Sequence, residues 1–226
     1  MNDPVSSQLM FSVMAKHIGS GCNLNCTYCY YLEKERLFRR DSQQHIMSEK
    51  LLETYIAQTI YSSPDRVVLF AWHGGEPIMR GMDFFGKVIQ LQKKHGTGRE
   101  IENSLQTNGT MLTDEWCGFF TDHHFLIGIS VDGPEHCHCV LENWMRVPPS
   151  VCVSAENCGH AGVVEYNGDV FAWDHFVFPE YKLGNINEKS LQTLMNSPFQ
   201  RQFGQNKRDM LPAFCRKCEF LDLCNG

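Results

Sequence analysis

Hydrophobic positions along the chain follow two regimes. Over roughly the first 134 residues, short apolar runs alternate with stretches in which apolar residues recur every three or four positions. Phe11 to Ile18 alternate loosely, with Val13 and Met14 apolar, and read as a strand. Ser48 is placed to cap a helix in which Leu52, Tyr55, Ile56 and Ile60 share one side. Val67 to Trp72 is a continuous apolar run, which suits a parallel strand covered on both faces. A second helical pattern from Met82 to His95 would bury Phe85, Val88 and Ile89. A strand around Ile101 to Thr107, a helix from Asp114 to Asp122 and a strand from Leu126 to Val131 complete the series. Four strands alternating with three helices predict an α/β fold of βα units with a parallel sheet. Ligands in such folds sit on the loops that follow the strands. The segments after these strands should therefore share one end: Cys22 to Cys29, His73 to Pro77, Asn108-Gly109, and Ser130 to Asp132.

The second regime begins at Glu135. To Ser150 there is no strand-helix alternation, only the patch His136 to Cys139 and the break at Pro148-Pro149. Val163 to Trp173 reads as a hairpin about Asn167-Gly168, since both central residues tolerate positive φ. Ser190 to Met195 and Pro198 to Phe203 read as short helices, and the chain closes on Cys215, Cys218 and Cys224. This part is a small, irregular, cysteine-rich α+β region.

Composition narrows the class. At 226 residues with 42% hydrophobic and 20% charged positions, the chain can bury a core. A net charge of −6 argues against a nucleic-acid binder. No apolar run approaches the roughly 18 residues that span a bilayer, and the N-terminus lacks a basic segment followed by an apolar one, so no membrane partner and a cytoplasmic location are expected. In that reducing compartment, eleven cysteines in short-spaced clusters read as metal ligands rather than disulfides.

The densest cluster is Cys22-x3-Cys26-x2-Cys29, with Tyr28 before its last thiol. Soft sulfur ligands select zinc, copper(I) or an iron-sulfur cluster. Structural zinc and ferredoxin-type clusters take four protein ligands, so a set that stops at three leaves one position open for a second molecule. Cys215-x2-Cys218-x5-Cys224 is a second metal signal, also one ligand short of a closed site.

Taken together, the first cysteine set, Gly74-Gly75-Glu76-Pro77, Gln106 to Gly109, Ser130 to Pro134, Asp174 to Val177 and Pro179 to Ile186 form a pattern. It resembles the anaerobic sulfatase-maturating enzymes of the radical S-adenosylmethionine superfamily, with their C-terminal SPASM-type region. The resemblance implies a partial (β/α) barrel and a 4Fe-4S cluster held by Cys22, Cys26 and Cys29. It implies that the methionine amine and carboxylate of S-adenosylmethionine chelate the open iron, and that reductive cleavage yields a 5′-deoxyadenosyl radical. Gly74 and Gly75 would let backbone approach the cofactor, Glu76 would fix the turn that receives the ammonium, Tyr28 would lie near the adenine, and Ser130 would stand among the polar groups around methionine and ribose. Asp174 matches the base that deprotonates a sulfatase cysteine or serine on its way to formylglycine, a role suited to a buried carboxylate. Tyr31 and His73 match positions facing the substrate. The implied partner is a peptide or protein, an unmatured sulfatase.

Three departures accompany the resemblance. Family barrels have six βα units and this chain shows four, which implies an internal deletion with its junction near Cys137 to Leu141. Trp173 stands where the family has a cluster-ligating cysteine, and an indole nitrogen only donates. The chain ends at Gly226, before the family's remaining cluster cysteines. The expected organisation is a partial barrel over 1–136, a junction over 137–150 and a truncated auxiliary-cluster region over 151–226. Cys152 and Cys158 would remain for the first auxiliary cluster, and Cys215, Cys218 and Cys224 for a residual second one. The resemblance thus implies an oxidoreductase impaired by deletion. Another SPASM peptide-modifying radical enzyme and a non-catalytic metal-binding remnant are the alternatives.

Overall fold

The computed structural model describes residues 11–27, 29–31, 46–130, 156–218 and 221. The expected parallel units are present. Strands β1 (Ser12–Lys16), β2 (Val67–Trp72), β3 (Glu100–Thr107) and β4 (Phe125–Ile129) pair in parallel in the order β4-β3-β2-β1. Between them run helices α1 (Glu49–Ser62), α2 (Met82–His95) and α3 (Asp114–Asp122). Ser48 and Thr113 cap α1 and α3 by accepting from Leu51 N and Trp116 N, satisfying donors that a helix start leaves free.

The sheet continues past β1. Strand β5 (Ala161–Glu165) pairs with β1 in parallel, in a register that sets Met14 opposite Val163 and Lys16 opposite Glu165. Beyond it, β6 (Asp169–Phe171) and β7 (Lys182–Asn185) are antiparallel, closing a seven-stranded sheet. The hairpin turn falls at Asn167-Gly168, with Gly168 at φ +88°. The hairpin region is fastened to α1 as well: Gln58 Nε2 donates to Ile186 O at 2.8 Å, and its Oε1 accepts from Leu191 N at 2.7 Å. Leu191 opens α4 (Leu191–Met195), which precedes α5 (Pro198–Asp209).

The core lies between the sheet and its helices. Val68, Phe70 and Trp72 of β2 pack with Leu52, Tyr55 and Ile56 of α1 and Phe85 and Val88 of α2, and Val164 and Val170 extend the same cluster into the hairpin. Two expectations need correction. Phe84 is buried beside Phe85 and Val88, while Ile89 is only partly buried. The β2 run is covered on one face only: Val67 and Leu69 are 40% and 47% exposed, and Leu126 of β4 is 73% exposed. These side chains alternate with the helix-facing ones, so they point to the face that would be the interior of a closed barrel. Among the described residues nothing covers it fully. No helix among the described residues is long and apolar enough to cross a membrane.

Candidate functional site

The loops that follow β1, β2 and β3 meet at one end of the sheet, together with Ser130 at the end of β4, as the βα pattern requires. The β2 loop lies against the segment leading into the cysteines: Gly75 N donates to Gly19 O and Glu76 N to Gly21 O, both at 2.8 Å. Gly74 takes φ +132°, a backbone geometry L side chains rarely adopt. A Cβ on Gly75 would come within 2.0 Å of Gly21 O, so only glycine fits there. The close approach that the Gly-Gly pair permits is thus to the cysteine loop's own stem. Glu76 is fully buried, and its carboxylate accepts from Ile78 N at 3.1 Å, Thr107 Oγ1 at 2.8 Å and Asn108 N at 2.9 Å. It is a clamp between the β2 and β3 loops. Gln106 Nε2 reaches Ser130 Oγ at 3.0 Å, which joins β3 to the exposed end of β4.

On this scaffold sit Cys22, Cys26 and Cys29, all half-buried free thiols. Cys22 Sγ accepts from Leu24 N at 3.4 Å and from Asn108 Nδ2 at 3.7 Å, and Cys29 N donates to Cys26 O at 3.1 Å. The three stand on one loop, yet among the described residues no three Cys, His, Asp or Glu side chains close into a group able to hold a metal. Tyr28 lies outside the described residues.

Beside the loop is a buried cluster of charged and phenolic groups that spacing alone did not reveal. Lys16 and Glu165, paired across β1 and β5, are both fully buried. Tyr31 is buried and donates to the Glu165 carboxylate at 2.6 Å, and Lys16 Nζ lies 3.9 Å from the Tyr31 ring centroid. Burial lowers the Lys16 pKa, opposed by the charges of Glu165 and Asp174. Tyr30 donates to Asp174 Oδ2 at 3.0 Å, and its phenol is pushed well above the usual range by burial and by Asp174. The Tyr30 ring stacks on His175 at 4.1 Å, and His175 stacks on Trp173 at 4.8 Å. His73 accepts from Gly74 N at Nδ1, 2.7 Å away, and its pKa is lowered to about 4 by burial and by Lys16. It is therefore neutral near pH 7.

Comparisons with known proteins decide the family. The model described as "Radical SAM superfamily" matches residues 17–148, and that described as "SPASM: Iron-sulfur cluster-binding domain" matches 155–219. The chain belongs to the radical SAM superfamily. A serine-type anaerobic sulfatase-maturating enzyme of Bacteroides thetaiotaomicron is 34% identical over 337 residues, covering 95% of this chain and 81% of the relative. That span exceeds the 226 residues present here, so part of the relative stands opposite a gap. A cysteine-type anaerobic sulfatase-maturating enzyme of Clostridium perfringens is 40% identical over 144 residues, 60% of this chain and 38% of the relative. A solved structure described as native anSMEcpe with bound AdoMet and Kp18Cys peptide superposes with a TM-score of 0.79 at 22% identity, covering 96% of this chain and 88% of that one. The fold is thus that of a partial radical SAM barrel.

Radical SAM membership carries with it a 4Fe-4S cluster and S-adenosylmethionine, and the SPASM match adds auxiliary clusters. In kind, the donors fit: three free thiols on one strand-end loop, with N–H groups directed at one of the sulfurs. In the SPASM part, Cys215 and Cys218 bracket a turn in which Cys218 N donates to Cys215 O at 3.1 Å, and both are half-buried and free. Cys158 N is anchored to Gly204 O at 3.1 Å. Cys152, Cys224 and the His136 to Cys139 patch lie outside the described residues. Trp173, which stacks on His175, also stacks on Phe176 at 5.8 Å.

Sequence reading missed Lys16, Glu165 and Tyr30. Lys16 carried the one available signal, a charge at the end of an otherwise apolar strand.

Proposed function

We propose that this radical SAM protein oxidises a cysteine or serine side chain of a sulfatase-type peptide to formylglycine. The observation that carries the reading is the placement of Asp174: Tyr30, the residue directly after Cys29, holds its carboxylate from a separation of 144 residues. The hairpin of the SPASM region is what delivers that carboxylate to the cysteine loop. The names of the relatives, one serine-type and one cysteine-type, support the same substrate class.

When bound, a 4Fe-4S cluster on Cys22, Cys26 and Cys29 together with S-adenosylmethionine supplies the radical that removes hydrogen from the substrate carbon. The chain's own residues do the rest. Glu76 locks the Gly74-Gly75 turn against Gly19 to Gly21 and so sets the height of the cysteine loop. Ser130, positioned by Gln106, would offer a hydroxyl to S-adenosylmethionine, and Tyr28 would serve its adenine. Asp174 takes the proton from the substrate hydroxyl or thiol, with Tyr30 fixing its orientation. His73, neutral, and Tyr31 line the approach. Cys215, Cys218 and Cys224 would be the ligands of a residual auxiliary cluster. We divide the chain into a barrel part over 1–136, a junction over 137–150 and an auxiliary part over 151–226, and place the protein in the cytoplasm.

The test is an anaerobic assay of the reconstituted protein with sulfatase-derived peptides bearing Cys or Ser, read by mass spectrometry. Formylglycine from the parent, together with its loss in Asp174→Asn while 5′-deoxyadenosine persists, is the expected result. A parent that makes 5′-deoxyadenosine but no formylglycine on either peptide contradicts the substrate, and unchanged turnover in Asp174→Asn contradicts the base.

A further inference from the structure

The side chain of Asn108 belongs to neither the cofactor contacts nor the base, yet both ends of its amide are held by hydrogen bonds. Its Oδ1 accepts from Thr110 N at 2.9 Å and from Thr110 Oγ1 at 2.7 Å. A backbone N–H can only donate, so this contact determines which amide atom is oxygen and turns Nδ2 the other way. Nδ2 then points at the cysteine loop, where it stands 2.9 Å from Asn23 Oδ1 and 3.7 Å from Cys22 Sγ. Asn23 in turn donates from Nδ2 to Thr110 Oγ1 at 2.8 Å, which closes a ring of side chains around the sulfur. The backbone N–H of Asn108 is committed separately, to the buried Glu76 carboxylate. One residue therefore ties the β3 loop to the β2 loop through its backbone and to the cysteine loop through its amide.

We infer that Asn108 is a positioning residue for the radical SAM cluster: its amide donates to Cys22 Sγ, stabilising charge on that thiolate and raising the reduction potential of the cluster it holds. The inference rests on the reading of Cys22 as a cluster ligand. The physics is general: N–H donors to ligating sulfur offset the extra negative charge of the reduced cluster and move its potential upward. With Leu24 N also directed at Cys22 Sγ, this sulfur has two donors.

The experiment compares the parent with Asn108→Asp and Thr110→Val, each as the full chain reconstituted anaerobically with iron and sulfide. Asn108→Asp keeps the acceptor for Thr110 N and the backbone link to Glu76 while removing the donor and adding a negative charge, so the shift in the charge-neutral Thr110→Val is the one that isolates the hydrogen bond. Iron and sulfide per chain are measured first, then the midpoint potential of the signal that S-adenosylmethionine perturbs, by redox titration followed by electron paramagnetic resonance. The expected result is a potential shifted to more negative values in Asn108→Asp, with a smaller shift of the same sign in Thr110→Val, where the amide oxygen loses one of its two donors. Should Asn108→Asp fail to take up iron, the Thr110→Val shift decides. Equal potentials in parent and loaded variants overturn the inference while leaving the cluster assignment intact. Absence of any S-adenosylmethionine-sensitive signal from the parent overturns both.

Discussion

Tyr30 Oη donates to Asp174 Oδ2 at 3.0 Å while the Tyr30 ring lies flat on His175. The pair joins the cysteine loop of the barrel to the segment that follows the SPASM hairpin. Tyr30→Phe keeps the ring and removes the hydroxyl that donates to Asp174 and accepts from Lys16 Nζ at 3.4 Å, so the stack survives while the carboxylate loses the donor that orients it. A hydrogen bond to a charged group is worth about 1.5–3 kcal/mol, so formylglycine formation should fall roughly 10- to 100-fold. Release of 5′-deoxyadenosine should be unaffected, because the phenol acts on the base and not on the cofactor. Parallel loss of both products would show that Tyr30 supports the loop itself.

Glu165 faces Lys16 across the β1–β5 seam, and both are fully buried. Glu165→Ala takes away the carboxylate that offsets the burial of Lys16 and accepts from Tyr31. Removing one partner of a buried charged pair costs about 3–5 kcal/mol. For a chain of this size that is a fall in melting temperature of roughly 10 °C or more. Adding Lys16→Met, which removes the stranded amine, should restore at least half of the loss. Thermal denaturation of the parent, the single and the double variant checks this; a double variant no better than the single contradicts it.

Two glycines should respond in opposite ways to the same change. Gly75→Ala drives a Cβ to 2.0 Å from Gly21 O, so the cysteine stem must shift and iron uptake should drop sharply. Gly86, inside α2, has nothing within 4 Å of an added Cβ. Gly86→Ala should leave iron uptake unchanged and stabilise the chain by about 0.5–1 kcal/mol through helix propensity. Iron analysis after reconstitution and urea denaturation read the two effects separately.

His17 is a neutral core residue, stacked on Phe84 at 4.5 Å, with Nε2 3.5 Å from Pro77 O and no hydrogen-bond partner at Nδ1 among the described residues. Burial lowers its pKa to about 3, against 6.5 for the unfolded side chain. Between those values the unfolded chain binds the proton and the folded chain does not. Stability contributed by neutral His17 is therefore intact above about pH 6.5 and declines as pH falls toward 3, by about 1.4 kcal/mol per unit well inside the window. His17→Leu should flatten that part of the profile. Urea midpoints at pH 7, 6 and 5 test this, and parallel slopes in parent and variant contradict it.

Much of the site was legible because its chemistry is local. Three thiols in eight residues, a Gly-Gly-Glu-Pro turn after an apolar run and an Asn-Gly after the next are short-range signals, and the βα alternation alone places them at one end. Ser48 and the bounds of α2 and α3 were readable for the same reason. What escaped was long-range. Nothing in the spacing of Ala161 to Glu165 says that this strand pairs with β1 rather than only with its hairpin partner. Without that pairing, Lys16, Glu165 and Tyr30 have no reason to be grouped with Asp174. The β2 run misled in another way, since a continuous apolar run normally marks a strand covered twice. Val67 and Leu69 kept that composition while their face stayed open.

The central claim is that this chain, as it stands, builds a radical SAM site on Cys22, Cys26 and Cys29. Its most direct test is the release of 5′-deoxyadenosine from S-adenosylmethionine by the anaerobically reconstituted, chemically reduced protein, set beside the variant with all three cysteines changed to Ala. The account predicts release from the parent and none from the triple variant. No release from an iron-loaded parent, or equal release from both, would contradict it.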